Sequence, residues 1–384
     1  MINVAEWGDG WSFPVDISRR INIDGSRFNG LTFDGLTQKE TMSKHLLSCD
    51  WGTSSFRLRL VNLKERDVVG EVTSSDGIGT VYSAWQEARK GGELESGQAD
   101  AVPRGAFYRS VIATQVAALS RQTGIDLASV PIVLSGMASS SIGMRELPYA
   151  RLPFALDGSH LGMRQEEEEP DFPHEITLIS GVRSDHDVMR GEETQLIGLS
   201  AAMDLSGRDA IFIFPGTHSK HMFVRDGRLI DFKTFMTGEV FNLMANQSIL
   251  KDSIDHYLHS DFKPEAAAAF REGIRESGSG NILNALFTVR TNQLFDLFSK
   301  RDNGMFLSGL LIGYEIRDLT RETNAHLVLC GGNNLYQLYK AAIETLGLSG
   351  RATIIPSEIV DRAATTGHIR IFENQYLTLN KANL

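Results

Sequence analysis

Three short turns in this chain place glycine among hydroxyl or amide side chains directly after an apolar run. They are Asp50-Trp51-Gly52-Thr53-Ser54-Ser55, Pro215-Gly216-Thr217-His218-Ser219-Lys220 and Gly331-Gly332-Asn333-Asn334. Glycine lets the backbone bring its N–H groups close to an anion, and Thr or Ser adds donors without bulk. Phosphate is the anion that such turns suit. Asp50 stands beside the first set of donors, where a carboxylate can hold Mg2+ directly or through water. Any one of these turns alone is an ordinary hairpin or strand–helix loop. The three together, in this order, are far more specific.

The elements that must position them follow from apolar patterning. Leu46 to Cys49 is a short apolar strand before the first turn, and Phe56, Leu58 and Leu60 then alternate with Arg57 and Arg59, a half-buried strand. A third strand passes through Val68, Val69 and Val72. The construction returns later: Ile211 to Phe214, the second turn, a strand from Met222, the Asp226-Gly227 hairpin turn and Leu229 to Phe232. Two copies at domain-scale spacing suggest duplicated domains. Between them the sequence predicts helices around 83–90 and 108–123, a strand at Pro131 to Leu134, a Ser/Gly loop at 135–143 and a helix from Asp187 to Ala201. The run Glu166 to Glu169 reads as a solvated loop, since adjacent like charges repel. After the second meander come helices near 264–275 and 281–299, an apolar helix from Phe306 to Asp318, a strand from Leu327 to Cys330 and a helix from Leu335 to Leu346.

Composition narrows the function classes. The 384 residues leave room for two domains, and 42% hydrophobic with 22% charged residues is ordinary globular composition. A formal net charge of −10 argues against a nucleic-acid surface, which needs clustered Lys and Arg. It does not oppose an anionic metabolite, which a few placed cations can hold. No apolar run is long enough for a membrane span. The N-terminus lacks a basic region followed by an apolar core, and Cys49 and Cys330 read as buried thiols, so a reducing cytoplasm is the expected compartment. Residues 1–41 show no sustained period, and two readings stand: an irregular N-terminal arm, or an extension ahead of a natural start at Met42. Oligomeric state is not readable.

The order of an acidic Gly-Thr turn, a second Gly-Thr turn and a Gly-Gly turn before a late helix resembles the superfamily of actin, hexokinase and heat-shock chaperone ATPases. Within it, several stretches resemble the 2-dehydro-3-deoxygalactonokinase family. These are Asp50 to Ser55, Ser135-Gly136-Met137-Ala138-Ser139-Ser140, Asp187-Val188-Met189-Arg190-Gly191-Glu192-Glu193-Thr194-Gln195 and Pro215 to Lys220. Met236-Thr237-Gly238-Glu239, Leu307-Ser308-Gly309-Leu310-Leu311-Ile312-Gly313 and Cys330 to Leu335 complete the set, which extends from about residue 46 to about 346. The family tends to carry Trp where this chain has His221, and often Gly-Trp at Gly143-Met144. Those departures bear on the substrate and leave the fold untouched.

The resemblance implies an α/β fold of two actin-like (ribonuclease H-like) domains with an ATP cleft between them. The domains are read at 44–205 and 206–384 after an irregular extension at 1–43, with the final helix either staying in the second domain or crossing back to the first. The resemblance further implies a kinase that phosphorylates the 6-hydroxyl of 2-dehydro-3-deoxy-D-galactonate, with ATP and Mg2+ as cofactors. Gly52, Thr53 and Ser54 would contact one phosphate, and Gly216, Thr217 and Ser219 the other. Lys220 either helps neutralise the γ-phosphate or faces solvent. Gly331, Gly332 and Asn333 would bound the adenosine, and Asp50 would hold magnesium. For the base, Glu192 resembles in placement an acidic residue that opens a helix in related sugar kinases; Asp187 is the rival, and Glu192 or Glu193 could equally be a helix start. Arg57, Arg145 and Arg190 are candidates for the sugar carboxylate, which arginine grips bidentately. Ser135, Gly136 and Ser139, with Ser140, and Thr237 with Glu239, would line the substrate. Rival readings are a kinase of the same fold for another sugar acid, such as 2-dehydro-3-deoxygluconate, a partner-driven ATP switch, and a binding protein without catalysis.

Overall fold

The apolar run before each glycine turn folds as the central strand of a sheet. A computed structural model describes residues 43–96, 102–159, 161–201, 203, 207–255 and 264–382. The candidate extension at 1–43 lies, up to residue 42, outside the described residues. Leu205–Asp361 form one compact unit, and the residues up to Asp204 together with those from Arg362 form the other.

In the unit that comes first in sequence, β1 (His45–Trp51), β2 (Phe56–Asn62) and β3 (Asp67–Ser74) make an antiparallel meander. Helices α1 (Ile78–Ser96) and α2 (Arg104–Thr123) follow, and then β4 (Ile132–Gly136), parallel to β1. Beyond the short strands β5 (Ala150–Arg151) and β6 (Phe154–Ala155) come β7 (Met163–Glu166) and β8 (Ile176–Ile179). The sheet order is β3-β2-β1-β4-β8-β7. Strand β9 (Val182–Arg183) pairs with β5 on one side and β10 (Val188–Met189) on the other in a small second sheet, and α3 (Glu192–Ala201) follows.

Alternation along β1 decides what covers each face. Leu47, Cys49 and Trp51 join the core that α2 closes with Tyr108, Ile112, Val116 and Leu119, a stripe at helical spacing. Ser48 points the other way, to the C-terminal helix α9 (Ser357–Ala382), where its hydroxyl meets His368 Nδ1 at 2.8 Å. This explains a departure from the expected half-buried β2. Arg59 is only 4% exposed because α9 covers it; its guanidinium bonds Glu71 and, at 3.4 Å, Thr365.

The second unit repeats the plan. Strands β11 (Ala210–Phe214), β12 (Ser219–Arg225) and β13 (Arg228–Phe235) form an antiparallel meander. Helices α4 (Thr237–Gln247), α5 (Pro264–Glu276), α6 (Ile282–Leu294) and α7 (Lys300–Ile316) precede β14 (His326–Leu329), which is parallel to β11. Helix α8 (Asn333–Thr345) leads to β15 (Ala352–Ile354), parallel to β14. The run β13-β12-β11-β14-β15 matches β3-β2-β1-β4-β8 strand for strand and sense for sense. Even the irregularity recurs, with a bulge at Leu60/Val61 in β2 and at Phe223/Val224 in β12. This duplicated sheet is the α/β architecture of the actin-like ATPases.

Two local expectations change. The helix expected from Asp187 starts at Glu192, because Gly191 has φ +109° and ends the preceding hairpin. The apolar helix expected from Phe306 starts at Lys300, where Ser299 Oγ caps it by accepting the Asp302 N–H at 3.1 Å. The Glu166–Glu169 run is more engaged than a solvated loop: Glu166 bonds Arg145 and Arg164, and Glu169 bonds Arg109. No helix among the described residues is long and apolar enough to cross a membrane.

Candidate active site

Each unit carries its own set of candidate groups at the ends of its central strands. In the first, Asp50 lies near the end of β1, opposite Arg57 on β2 and Ser135 on β4. Beside it Gly136 has φ +86°, which side chains rarely adopt, and a Cβ there would come within 2.6 Å of the Trp51 carbonyl oxygen. The same Cβ would lie 3.3 Å from Asp50 Oδ1, so glycine leaves the carboxylate open on that side. Gly191 packs against Gly136, its own Cβ position 3.4 Å from the Gly136 Cα. That contact brings the start of α3, with Glu192, toward Asp50. Burial raises the Asp50 carboxyl above its ordinary range; Arg57 opposes the rise, Glu192 adds to it and Arg59 opposes it.

The turn after Asp50 is pinned from behind. The Gly52 N–H donates to Ser55 O at 2.9 Å, and α1 returns the Ile78 N–H to Gly52 O and the Gly79 N–H to Thr53 O, both at 3.0 Å. Thr53 and Ser54 are left exposed. Trp51 anchors the approach to α1 by donating Nε1–H to Asp76 O at 2.7 Å.

The start of α3 is equally well fixed. Glu193 is fully buried, and its two carboxyl oxygens lie 2.9 and 2.8 Å from the Gly191 nitrogen. Burial, reinforced by the Glu192 charge, pushes the Glu193 carboxyl up to about 8. Glu192 accepts the Arg190 N–H at 3.2 Å. The Arg190 guanidinium lies over the Tyr149 ring at 4.3 Å and donates to Ser139 O at 2.7 Å and Ser139 Oγ at 2.5 Å. Arg190 Nε, Ser135 Oγ and Ser140 Oγ are buried without a hydrogen-bond partner among the described residues. Buried polar atoms left unpaired are uncommon and suit a missing ligand.

The remaining candidates of this unit have the following bonds. Asp187 sits at the tip of the β9–β10 hairpin, where its Oδ1 accepts the Val188 N–H at 2.7 Å. Arg145 is half exposed and pairs with Glu166 on β7. Arg57 reaches Glu71 at 4.0 Å.

In the second unit the turn after β11 leaves Thr217 and His218 exposed, whereas Ser219 and Lys220 are buried. Lys220 is 4% exposed rather than solvent-facing, with Nζ donating to His218 O at 3.1 Å beneath the turn. Ser219 Oγ bridges the turn, 3.3 Å from the Gly216 nitrogen and 2.9 Å from Tyr339 Oη. Helix α4 clamps this turn as α1 clamps the first: the Glu239 N–H donates to Thr217 O at 3.1 Å. A Cβ on Gly238 would fall 2.7 Å from Gly216 O, and its counterpart Gly77 would fall 2.3 Å from Thr53 O. Glu239 also bonds His218 Nε2 at 2.5 Å, and Thr237 donates to Glu315. Gly331 is buried and Gly332 exposed at the start of α8; the side chain of Asn333 lies outside the described residues.

Sequence reading missed Gly77, Tyr149, Glu315 and Tyr339. Gly77 could have been found by aligning the two meanders through to their following helices. The other three are ordinary helix or loop residues in the sequence, and only packing brings them to the turns.

The donor chemistry fits a phosphate-bound cation. Two carboxylates, Asp50 and Glu192, interact electrostatically, yet no group of three or more His, Cys, Asp or Glu among the described residues could hold a metal by itself. Magnesium characteristically takes one or two carboxylates and completes its shell with phosphate and water. Together, the duplicated sheet, the two clamped glycine turns and this acidic pair define an ATP-dependent carbohydrate kinase of the actin-like class.

The relatives agree. The chain belongs to the 2-keto-3-deoxy-galactonokinase family, whose model matches residues 50–370. It is 32% identical to a protein of Rhizobium meliloti (strain 1021) named a probable 2-dehydro-3-deoxygalactonokinase, over 81% of this chain and 93% of the relative. It is 33% identical to the 2-dehydro-3-deoxygalactonokinase of Escherichia coli (strain K12), over 56% of this chain and 71% of the relative. A crystal structure carrying the same enzyme name, from Sinorhizobium meliloti, superposes with a TM-score of 0.67 at 28% identity, covering 85% of this chain and 98% of that one.

Proposed function

We propose that this sugar-acid kinase transfers the γ-phosphoryl group of ATP to the 6-hydroxyl of 2-dehydro-3-deoxy-D-galactonate. The observation that carries the reading is the placement of Glu192 at the first turn of α3, drawn toward Asp50 by the Gly136–Gly191 contact. The names of the family and of its relatives support the sugar acid.

Phosphoryl transfer to an alcohol needs positioning, charge on the phosphates and a base at the attacking hydroxyl. Glu192 is the base: it takes the proton of the 6-hydroxyl as that oxygen bonds phosphorus and the bond to the ADP oxygen breaks. Its charge is kept close to Asp50, whose neighbourhood suits a cation. Asp187 is the weaker candidate, because it lies on the connection between β9 and β10, whereas Glu192 is the acidic residue whose charge acts on Asp50. Magnesium held by Asp50, directly or through water, would neutralise phosphate charge.

Thr53 and Ser54, which the Gly52 turn leaves exposed in the first unit, and Thr217, which the Gly216 turn leaves exposed in the second, each offer hydroxyl donors suited to phosphate. Ser219 acts from beneath the second turn, and Lys220 places a positive charge under it. Gly331, Gly332 and Asn333 are assigned to adenosine. For the sugar acid, the unpartnered Arg190 Nε and the Ser135 and Ser140 hydroxyls supply donors, with Ser139 holding the guanidinium in place. Arg145 contributes only if it leaves Glu166. Thr237 and Glu239 act through the start of α4.

The regiochemistry is tested by phosphorus NMR of the product formed from ATP and 2-dehydro-3-deoxy-D-galactonate. The expected product shows one phosphomonoester signal split by two methylene protons, as at the terminal carbon. A signal coupled to a single proton would place the phosphate on a secondary hydroxyl and contradict the reading.

A further inference from the structure

We propose that Glu315 is a positioning residue for the second glycine turn, fixing Gly216 to Ser219 and the start of α4 in the arrangement that receives the terminal phosphates of the nucleotide. The proposal rests on the kinase reading above. Glu315 stands next to last on α7, its side chain 1% exposed. Both of its oxygens are used. Oε1 meets His221 Nε2 at 3.1 Å; Oε2 accepts from Tyr339 Oη at 2.6 Å and from Thr237 Oγ1. Three elements, β12, α8 and α4, thus converge on one buried group. One oxygen thus takes two donors, Tyr339 and Thr237, while the other is occupied by the His221 ring nitrogen, so the carboxyl is fully engaged.

The donors fix one another's direction. Tyr339 gives its only proton to Glu315, so at 2.9 Å its oxygen accepts from Ser219 Oγ. Ser219 Oγ has a second, longer acceptor in Gly216 O at 3.4 Å, and it accepts the Gly216 N–H at 3.3 Å. The chain therefore runs one way, Gly216 to Ser219 to Tyr339 to Glu315. Burial and the neighbouring Glu315 carboxylate hold the Tyr339 phenol well above its ordinary range, so this donor keeps its proton throughout. Through Thr237 the same carboxylate holds the helix start whose Gly238 abuts the Gly216 carbonyl. The Gly216 N–H is turned inward by this arrangement. The outward face of the turn is left to the exposed Thr217 and His218.

The test compares wild type with Tyr339→Phe, which deletes one hydroxyl and keeps the ring, and with Glu315→Gln, which replaces the buried carboxyl by an amide of the same size. Calorimetric titration would use a non-hydrolysable ATP analogue and AMP, alongside the melting temperature. Both variants should bind the ATP analogue about tenfold more weakly, with AMP affinity within about twofold, since only the terminal phosphates depend on the turn. If Glu315→Gln does not fold, Tyr339→Phe decides. Unchanged binding of the ATP analogue by Tyr339→Phe, or an equal loss for AMP, overturns the proposal. Wild type that binds neither nucleotide would overturn the kinase reading and this proposal with it.

Discussion

Three carboxyl groups meet around Gly191, and burial and charge divide the work among them. Asp50 and Glu192 repel one another, which favours a cation near both, whereas Glu193 is sealed beneath the turn and its carboxyl is raised to about 8. A raised carboxyl has a definite consequence for stability. The unfolded chain loses this proton near the ordinary value of 4.5, but the folded chain keeps it until about 8. The Glu193 contribution is therefore full below 4.5 and is lost as pH rises toward 8. Gln copies the protonated form and can still accept the Gly191 N–H. Melting curves of Glu193→Gln should fall less steeply than wild type between those limits, so that its advantage grows toward pH 8. A wild-type excess that widens with pH would contradict the assignment. The sequence named Glu193 only as a possible helix start, because adjacent glutamates look alike until one is buried.

At the scale of elements, α3 and α9 cross at glycine. A Cβ on Gly367 would lie 2.1 Å from Thr194 O, and one on Gly198 would lie 1.9 Å from Ala363 O, so the two backbones touch. The crossing sets the height of α3 and with it the position of Glu192. Gly367→Ala should destabilise the protein by about 1–3 kcal/mol, the ordinary cost of overpacking, read as a lower urea midpoint at unchanged slope. An unchanged midpoint would show that α9 shifts freely. None of this was legible in the sequence. Helix α9 meets the sheet through Thr365 and His368 and meets α3 through Gly367, so its packed face mixes small and polar groups with the buried Ile369 and Ile371 and shows no plain apolar stripe. Strands β8 and β15 were missed for another reason. Each is short and flanked by other strands or polar chain, so no period builds up. The strands before the glycine turns were legible because an apolar run stops abruptly at a turn residue in each.

Across the whole molecule, the same meander, bulge, glycine turn and clamping helix occur twice, and the nucleotide chemistry was legible because the repeat places similar residues after similar strands. The catalytic details were less so: Asp187 and Glu192 share one motif, and it took the positive φ of Gly191 to separate a hairpin tip from a helix start. Phosphorylation of a sugar acid by this arrangement is tested most directly by an ADP-release assay with Mg-ATP. The panel is 2-dehydro-3-deoxy-D-galactonate, its gluconate epimer and simple hexoses, with Glu192→Gln beside wild type. The galactonate compound alone should raise ADP release well above background. Glu192→Gln should lose roughly 10²–10⁴-fold in kcat. Nucleotide binding without stimulation by any of these sugars would contradict this function.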